Sequence, residues 1–69
     1  MKYLIVIEPT GTGFSSYSPD LPGCVSTGPT REECEVNMQE AIEFHVEGLR
    51  EEHEPVPTPG SSAAFVEVN

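Results

Sequence analysis

The residues able to do chemistry are few and scattered. His45 and His53 stand eight positions apart, and neither has a Cys or His three or four residues away. Cys24 and Cys34 are ten apart, outside C-x-x-C spacing. Tetrahedral zinc needs closely spaced Cys and His ligands, so this is no zinc pattern. A cysteine nucleophile needs a base beside it. Cys24 sits between Gly23 and Val25, neighbours that give no hint of a His45 partnership, and both cysteines read as small hydrophobes. His45 reads as a packed residue on the apolar side of a helix, one ring nitrogen hydrogen-bonded. His53 reads as an exposed residue at the helix end, where partial positive charge suits the dipole.

Carboxylates fare no better as catalysts. A two-metal nuclease needs several acids converging from strand ends and turns. Away from the helix and its last turn there are only Glu8, Asp20, Glu54 and Glu67. No glycine-rich loop opens a helix with a Lys, so there is no phosphate cradle. The expectation is a protein without catalytic, cofactor-binding or metal site, and not an enzyme.

Charge is the strongest compositional signal. Twelve acids stand against three bases, for a net charge of −9. Such a surface is repelled by phosphate, so direct nucleic-acid binding and attraction to an anionic membrane are not expected. It favours a basic protein partner, since opposite potentials steer encounter. The same charge also serves solubility alone. The start, MKYLIVIEP, holds only a short apolar run ended by Glu8 and Pro9, unlike a signal peptide. No stretch approaches the roughly 20 apolar residues of a membrane span. Two cysteines are too few for a secreted disulfide scaffold. The cytoplasm is the expected location.

The elements that would position these residues follow from period and punctuation. With 69 residues the chain holds one domain, residues 1–69, and a domain of this size is marginal enough that a homo-oligomer is expected. A β-branched and aromatic run predicts a strand over about 3–8. Pro9 and Gly11-Thr12-Gly13 supply a turn into a second strand, about 13–18. Pro19-Asp20-Leu21-Pro22-Gly23 is a dense turn, with Gly23 free to take positive φ. A short third strand follows over about 24–27, broken by Gly28-Pro29.

Thr30-Arg31-Glu32-Glu33 reads as a capping box, in which Thr30 and Glu33 each satisfy the other's backbone amide. It opens a helix over about 31–51. Cys34, Met38, Ala41, Ile42, His45 and Leu49 recur at three- and four-residue spacing and share one face. Alternate prolines over 54–60 predict an extended connector, and 63–68 reads as a closing strand. The order β-β-β-α-β predicts an α+β fold, an antiparallel sheet with the helix on one face.

Opposite the apolar face lie Glu32, Glu40, Glu43, Glu47 and Glu51, a stripe roughly 30 Å long. Like charges at i, i+4 disfavour the free helix slightly, and a basic partner would relieve them. Phe44 and Val36 fall off the apolar face and could anchor a contact. Glu40, Glu43 and Glu47, with Phe44, are therefore the candidate partner-binding residues. A merely solvated face fits the same pattern.

The run Ser18-Pro19-Asp20-Leu21-Pro22-Gly23-Cys24, then Thr27-Gly28, then Thr30 and Glu33 at a helix start, resembles the HicB antitoxin family. Ala41-Ile42-Glu43, Glu47-Gly48-Leu49 and Glu54-Pro55-Val56-Pro57 continue the likeness over nearly the whole chain. The resemblance implies a partial ribonuclease-H-like unit with no working nuclease site. It implies a partner as well: HicA, a small basic toxin that cleaves messenger RNA and whose catalytic His the antitoxin covers. Assembly as a dimer or tetramer is implied too. Many family members carry a C-terminal DNA-binding domain; here the sequence ends just after the expected last strand, so operator binding is not expected. The rival expectation is an orphan, self-assembling domain of this family with no toxin partner.

Overall fold

The computed structural model describes all 69 residues. Three strands form one antiparallel sheet in the order β1 (Val6–Pro9), β2 (Phe14–Tyr17), β3 (Val25–Gly28), followed by helix α1 (Arg31–Glu51). Residues opposite one another in an antiparallel pair point to the same face. One row is therefore Ile7, Ser16 and Ser26, and the next Val6, Tyr17 and Val25. Ser16 is buried whereas Tyr17 and Val25 are exposed, so the Ile7 row faces the helix and the Tyr17 row forms an open outer face.

The core is small. Leu21, Cys24 and Met38 form its centre, with Tyr3, Ile5, Ala41 and Ile42 packed against them. Cys34 and Val46 complete the buried apolar set on the helix. Tyr3 and Ile5 keep the two-residue alternation that brings Ile7 to the same side. The dense turn delivers Leu21 to the core with none of its surface exposed. Its geometry comes from backbone bonds, Leu21 N to Ser18 O and Cys24 N to Leu21 O, and from Gly23 at φ 81°, a left-handed value that a Cβ disfavours.

Gly28 decides how closely the helix can sit. A Cβ there would stand 2.6 Å from the Cys34 amide nitrogen and 2.8 Å from its Cα. Glycine thus lets the end of β3 press against the first helical turn. Asn37 reinforces this junction by donating to the Thr27 carbonyl at 2.9 Å. At the helix start the Thr30 hydroxyl accepts from the Glu33 amide at 3.1 Å. The reciprocal half of the expected capping box is not formed; the Glu33 side chain stays in solvent.

The helix ends in a Schellman arrangement, with Glu54 N donating to Leu49 O and His53 N to Arg50 O. The left-handed residue is His53, at φ 57°, where glycine is usual.

Two expected strands differ from what is observed. β1 begins at Val6, although the apolar run begins at Tyr3. Its partner strand gives way to Ser18 and then Pro19, which has no amide to donate; the Ser18 hydroxyl instead donates to the Leu4 carbonyl at 2.9 Å. The closing strand over 63–68 is not formed within the chain. These residues are all exposed and no sheet edge pairs with them. A strand requires a partner edge, and neither edge of this sheet pairs with the segment.

Candidate partner-binding face

Helix α1 holds seven glutamates and two arginines. Burial of Cys34, Met38 and Val46 fixes which side meets the sheet, and the acids are thereby turned outward. Glu40, Glu43 and Glu47 are all exposed. The single ion pair of the chain is Arg31 with Glu35, at 3.6 Å and well exposed on both sides. None of Glu40, Glu43 or Glu47 is paired with a cation; Glu43 accepts only from the Gln39 amide, at 3.2 Å. Phe44 lies among them with 80% of its surface exposed, and Val36 is also exposed. The face is thus a band of uncompensated negative charge with an isolated aromatic ring, a composition suited to a cationic surface.

Beside this band runs a shallow groove between the N-terminal residues and the helix. Met1, Tyr3 and Ile5 form one wall, and Ile42 and Val46 the other. Glu35, Glu43, Glu47 and Arg50 rim it.

The Pro19–Gly23 turn divides its labour. Leu21 is in the core, Pro19, Pro22 and Gly23 are exposed, and Asp20 is half-buried. The Asp20 carboxylate accepts from Gly60 N at 3.3 Å, Ser61 N at 3.2 Å and the Ser61 hydroxyl at 2.9 Å. The Ser61 hydroxyl and amide, followed by the Gly60 amide, outweigh partial desolvation and hold this carboxyl below its usual range. Nearer the helix end, the Tyr3 hydroxyl donates to the Pro57 carbonyl at 2.6 Å. These bonds fasten the C-terminal arm.

His45 is only half-buried and its ring makes no hydrogen bond, contrary to the packed, bonded histidine expected. Cys24 and Cys34 are buried free thiols, and burial pushes the Cys24 thiol up, toward its neutral form. No three His, Cys, Asp or Glu side chains gather where they could hold a metal ion. No helix is long and apolar enough to cross a membrane. Sequence reasoning missed Val46, although it lies four residues after Ile42 and eight after Met38. It also missed the arm fastening, for which neither Tyr3 nor Ser61 carries a local signal.

The fold is an acidic helix on a three-stranded antiparallel sheet. Residues 3–68 match the family model described as HicB_like antitoxin of bacterial toxin-antitoxin system. The chain belongs to this HicB-like antitoxin family.

It is 35% identical over 69 residues to antitoxin HicB 2 of Photorhabdus laumondii, covering 99% of this chain and 50% of that protein. It is 46% identical over 57 residues to a 14.9 kDa protein from the rep-hol intergenic region of Haemophilus phage HP1, covering 83% of this chain and 43% of that one. The chain therefore spans about half the length of these relatives. Among solved structures it resembles a chain of the HicA3 and HicB3 toxin-antitoxin complex, with TM-score 0.75, 38% identity, and 87% of this chain and 70% of that one covered. The antitoxin HicB3 crystal structure gives a TM-score of 0.72 at 38% identity, with 87% of this chain and 44% of that chain covered.

Proposed function

We propose that this protein neutralises a small basic HicA-type, mRNA-cleaving toxin by covering it, without catalysis of its own, in the cytoplasm and as a homo-oligomer. Glu40, Glu43 and Glu47 supply the charge that draws the toxin in, and Phe44 supplies an apolar anchor. The observation that carries this reading is the unpaired acidic band around an 80% exposed Phe44. The likeness to a chain from a HicA3–HicB3 complex supports a toxin of that kind as partner. Direct nucleic-acid binding is disfavoured by the net charge of −9.

Charges at an interface act mainly on the rate of encounter and its salt dependence, and a central aromatic acts on dissociation. The test is stopped-flow binding of a purified HicA-type toxin across a salt series. Reversing Glu43 and Glu47 to Lys should slow association about tenfold or more at low salt and flatten the salt dependence, while Phe44→Ala should speed dissociation. Binding unchanged in both variants would remove the helix face from the toxin interface.

A further inference from the structure

Gly48 stands where its own chain gives no reason for glycine. It lies inside α1 and its φ is not positive. A Cβ added to it would meet nothing within 4 Å. Alanine would fit there and would favour the helix, since glycine is among the poorest helix formers. Nothing in the fold uses the missing side chain.

A second local cost falls on the same spot. Glu51, Glu52 and Glu54 crowd the C-terminal end of the helix, where the macrodipole favours cations and disfavours carboxylates. All three are exposed. None has an ion-pair partner, since the single pair of the chain is Arg31 with Glu35. Arg50, in the same turn, lines the groove of Met1 and Tyr3 instead.

Gly48 and these acids line one shallow cleft of about 350 Å³, together with Phe44 and Leu49. No Lys or Arg lines it. Residues four apart on a helix are neighbours, so the ring of Phe44, 80% exposed, stands as a wall beside the bare backbone of Gly48. A sequence that breaks local rules with no gain inside its own fold does so at functional sites. The shape and charge of this cleft suit a long cationic side chain. Its methylene stem would lie on apolar surface, as such stems do, and its head would meet unpaired carboxylates. Arginine fits better than lysine, because a planar guanidinium both stacks on an aromatic ring and bonds carboxylates in a fork.

We infer that the cleft over Gly48 is the pocket in which α1 takes an arginine of its protein partner. Phe44 and Leu49 hold the stem, and Glu51, Glu52 and Glu54 hold the guanidinium. The inference rests on the toxin reading, because the basic toxin proposed above supplies the arginine. It carries the interface past Phe44 to the end of the helix.

The experiment pairs thermal unfolding of the free chain with binding of a purified HicA-type toxin, for Gly48→Ala and Gly48→Gln. Both variants should raise the melting midpoint, Gly48→Ala by about 4 °C or more. Both should weaken toxin binding, by about tenfold for the added methyl and further for the longer side chain. Stability and affinity moving in opposite directions is a signature that a structural role for Gly48 does not produce. The triple variant Glu51→Gln, Glu52→Gln, Glu54→Gln should weaken binding more than Glu8→Gln, Glu33→Gln, Glu67→Gln, which removes the same charge elsewhere. A lower midpoint for Gly48→Ala, unchanged affinity in both Gly48 variants, or equal losses in the two triples would each overturn the inference. If the unaltered chain binds no such toxin, the toxin reading falls and the cleft with it. If the Glu43 and Glu47 reversal slows binding while the Gly48 variants bind as the unaltered chain does, the cleft alone falls.

Discussion

The helix–sheet body and the C-terminal arm are held by different means. In the body, Tyr3 and Ile5 from the residues before β1, and Ala41 and Ile42 from α1, converge on Leu21, Cys24 and Met38, so segments distant in sequence contribute to one shared core. The arm beyond Glu54 contributes no fully buried residue. It is tied by a tyrosine hydroxyl to one carbonyl and by one carboxylate to two successive residues. Burial is cooperative, because removing one side chain loosens all its neighbours. Surface hydrogen bonds are local, and each contributes little net free energy. The body should therefore unfold as a unit, while the arm can detach from it without unfolding it.

The sharpest way to break this contrast is Met38→Ala. Met38 is wholly buried, and truncating such a residue costs about 2–5 kcal/mol. A domain of this size has a total stability on the order of 3–10 kcal/mol, so the variant should lose much of it in urea unfolding followed by circular dichroism. A loss below about 1 kcal/mol would mean that Met38 is not central to a cooperative core.

A smaller effect is expected at the edge of the body. Thr30→Ala removes the hydroxyl that accepts from the Glu33 amide and should cost about 1 kcal/mol. Because the reciprocal bond is absent, Glu33→Ala should cost markedly less. Equal losses in the two variants would show a full capping box in solution.

The same contrast explains what could be read in the residues. Helix α1 was legible because its cause is local: Thr30 at the cap, then Cys34, Met38, Ala41 and Ile42 at helical spacing. The dense turn was legible because proline and glycine restrict the backbone wherever they stand. Residues 63–68 alternate as a strand should, but alternation says nothing of which edge will receive it, and no edge of the same sheet does. The early part of the apolar run, Tyr3–Ile5, failed to enter the ladder because Ser18 and Pro19 end its partner, a fact about a neighbour fifteen residues away. The outward direction of Glu40, Glu43, Glu47 and Phe44 followed from helix phase. A role in binding does not follow from phase, since a solvated face and an interface have the same period.

The smallest effect should come from Asp20, and it separates arm from body most directly. Its carboxyl is held below the usual range chiefly by the Ser61 hydroxyl and amide, with the Gly60 amide adding to them. A carboxyl whose folded pKa is depressed lends its stabilisation fully above its unfolded value, near 3.9. That contribution is lost as pH falls through the lower folded value. Acidification should therefore release Gly60 and Ser61 before it touches the core. In NMR-detected amide exchange, these two amides should lose protection below about pH 4, while Cys34 and Met38 keep theirs. Asp20→Asn should weaken the same two amides at neutral pH and remove the acid transition, because the amide side chain carries no charge to titrate. If Met38 and Ser61 instead lost protection together, in either the acid titration or the variant, the arm would belong to the same cooperative unit as the core.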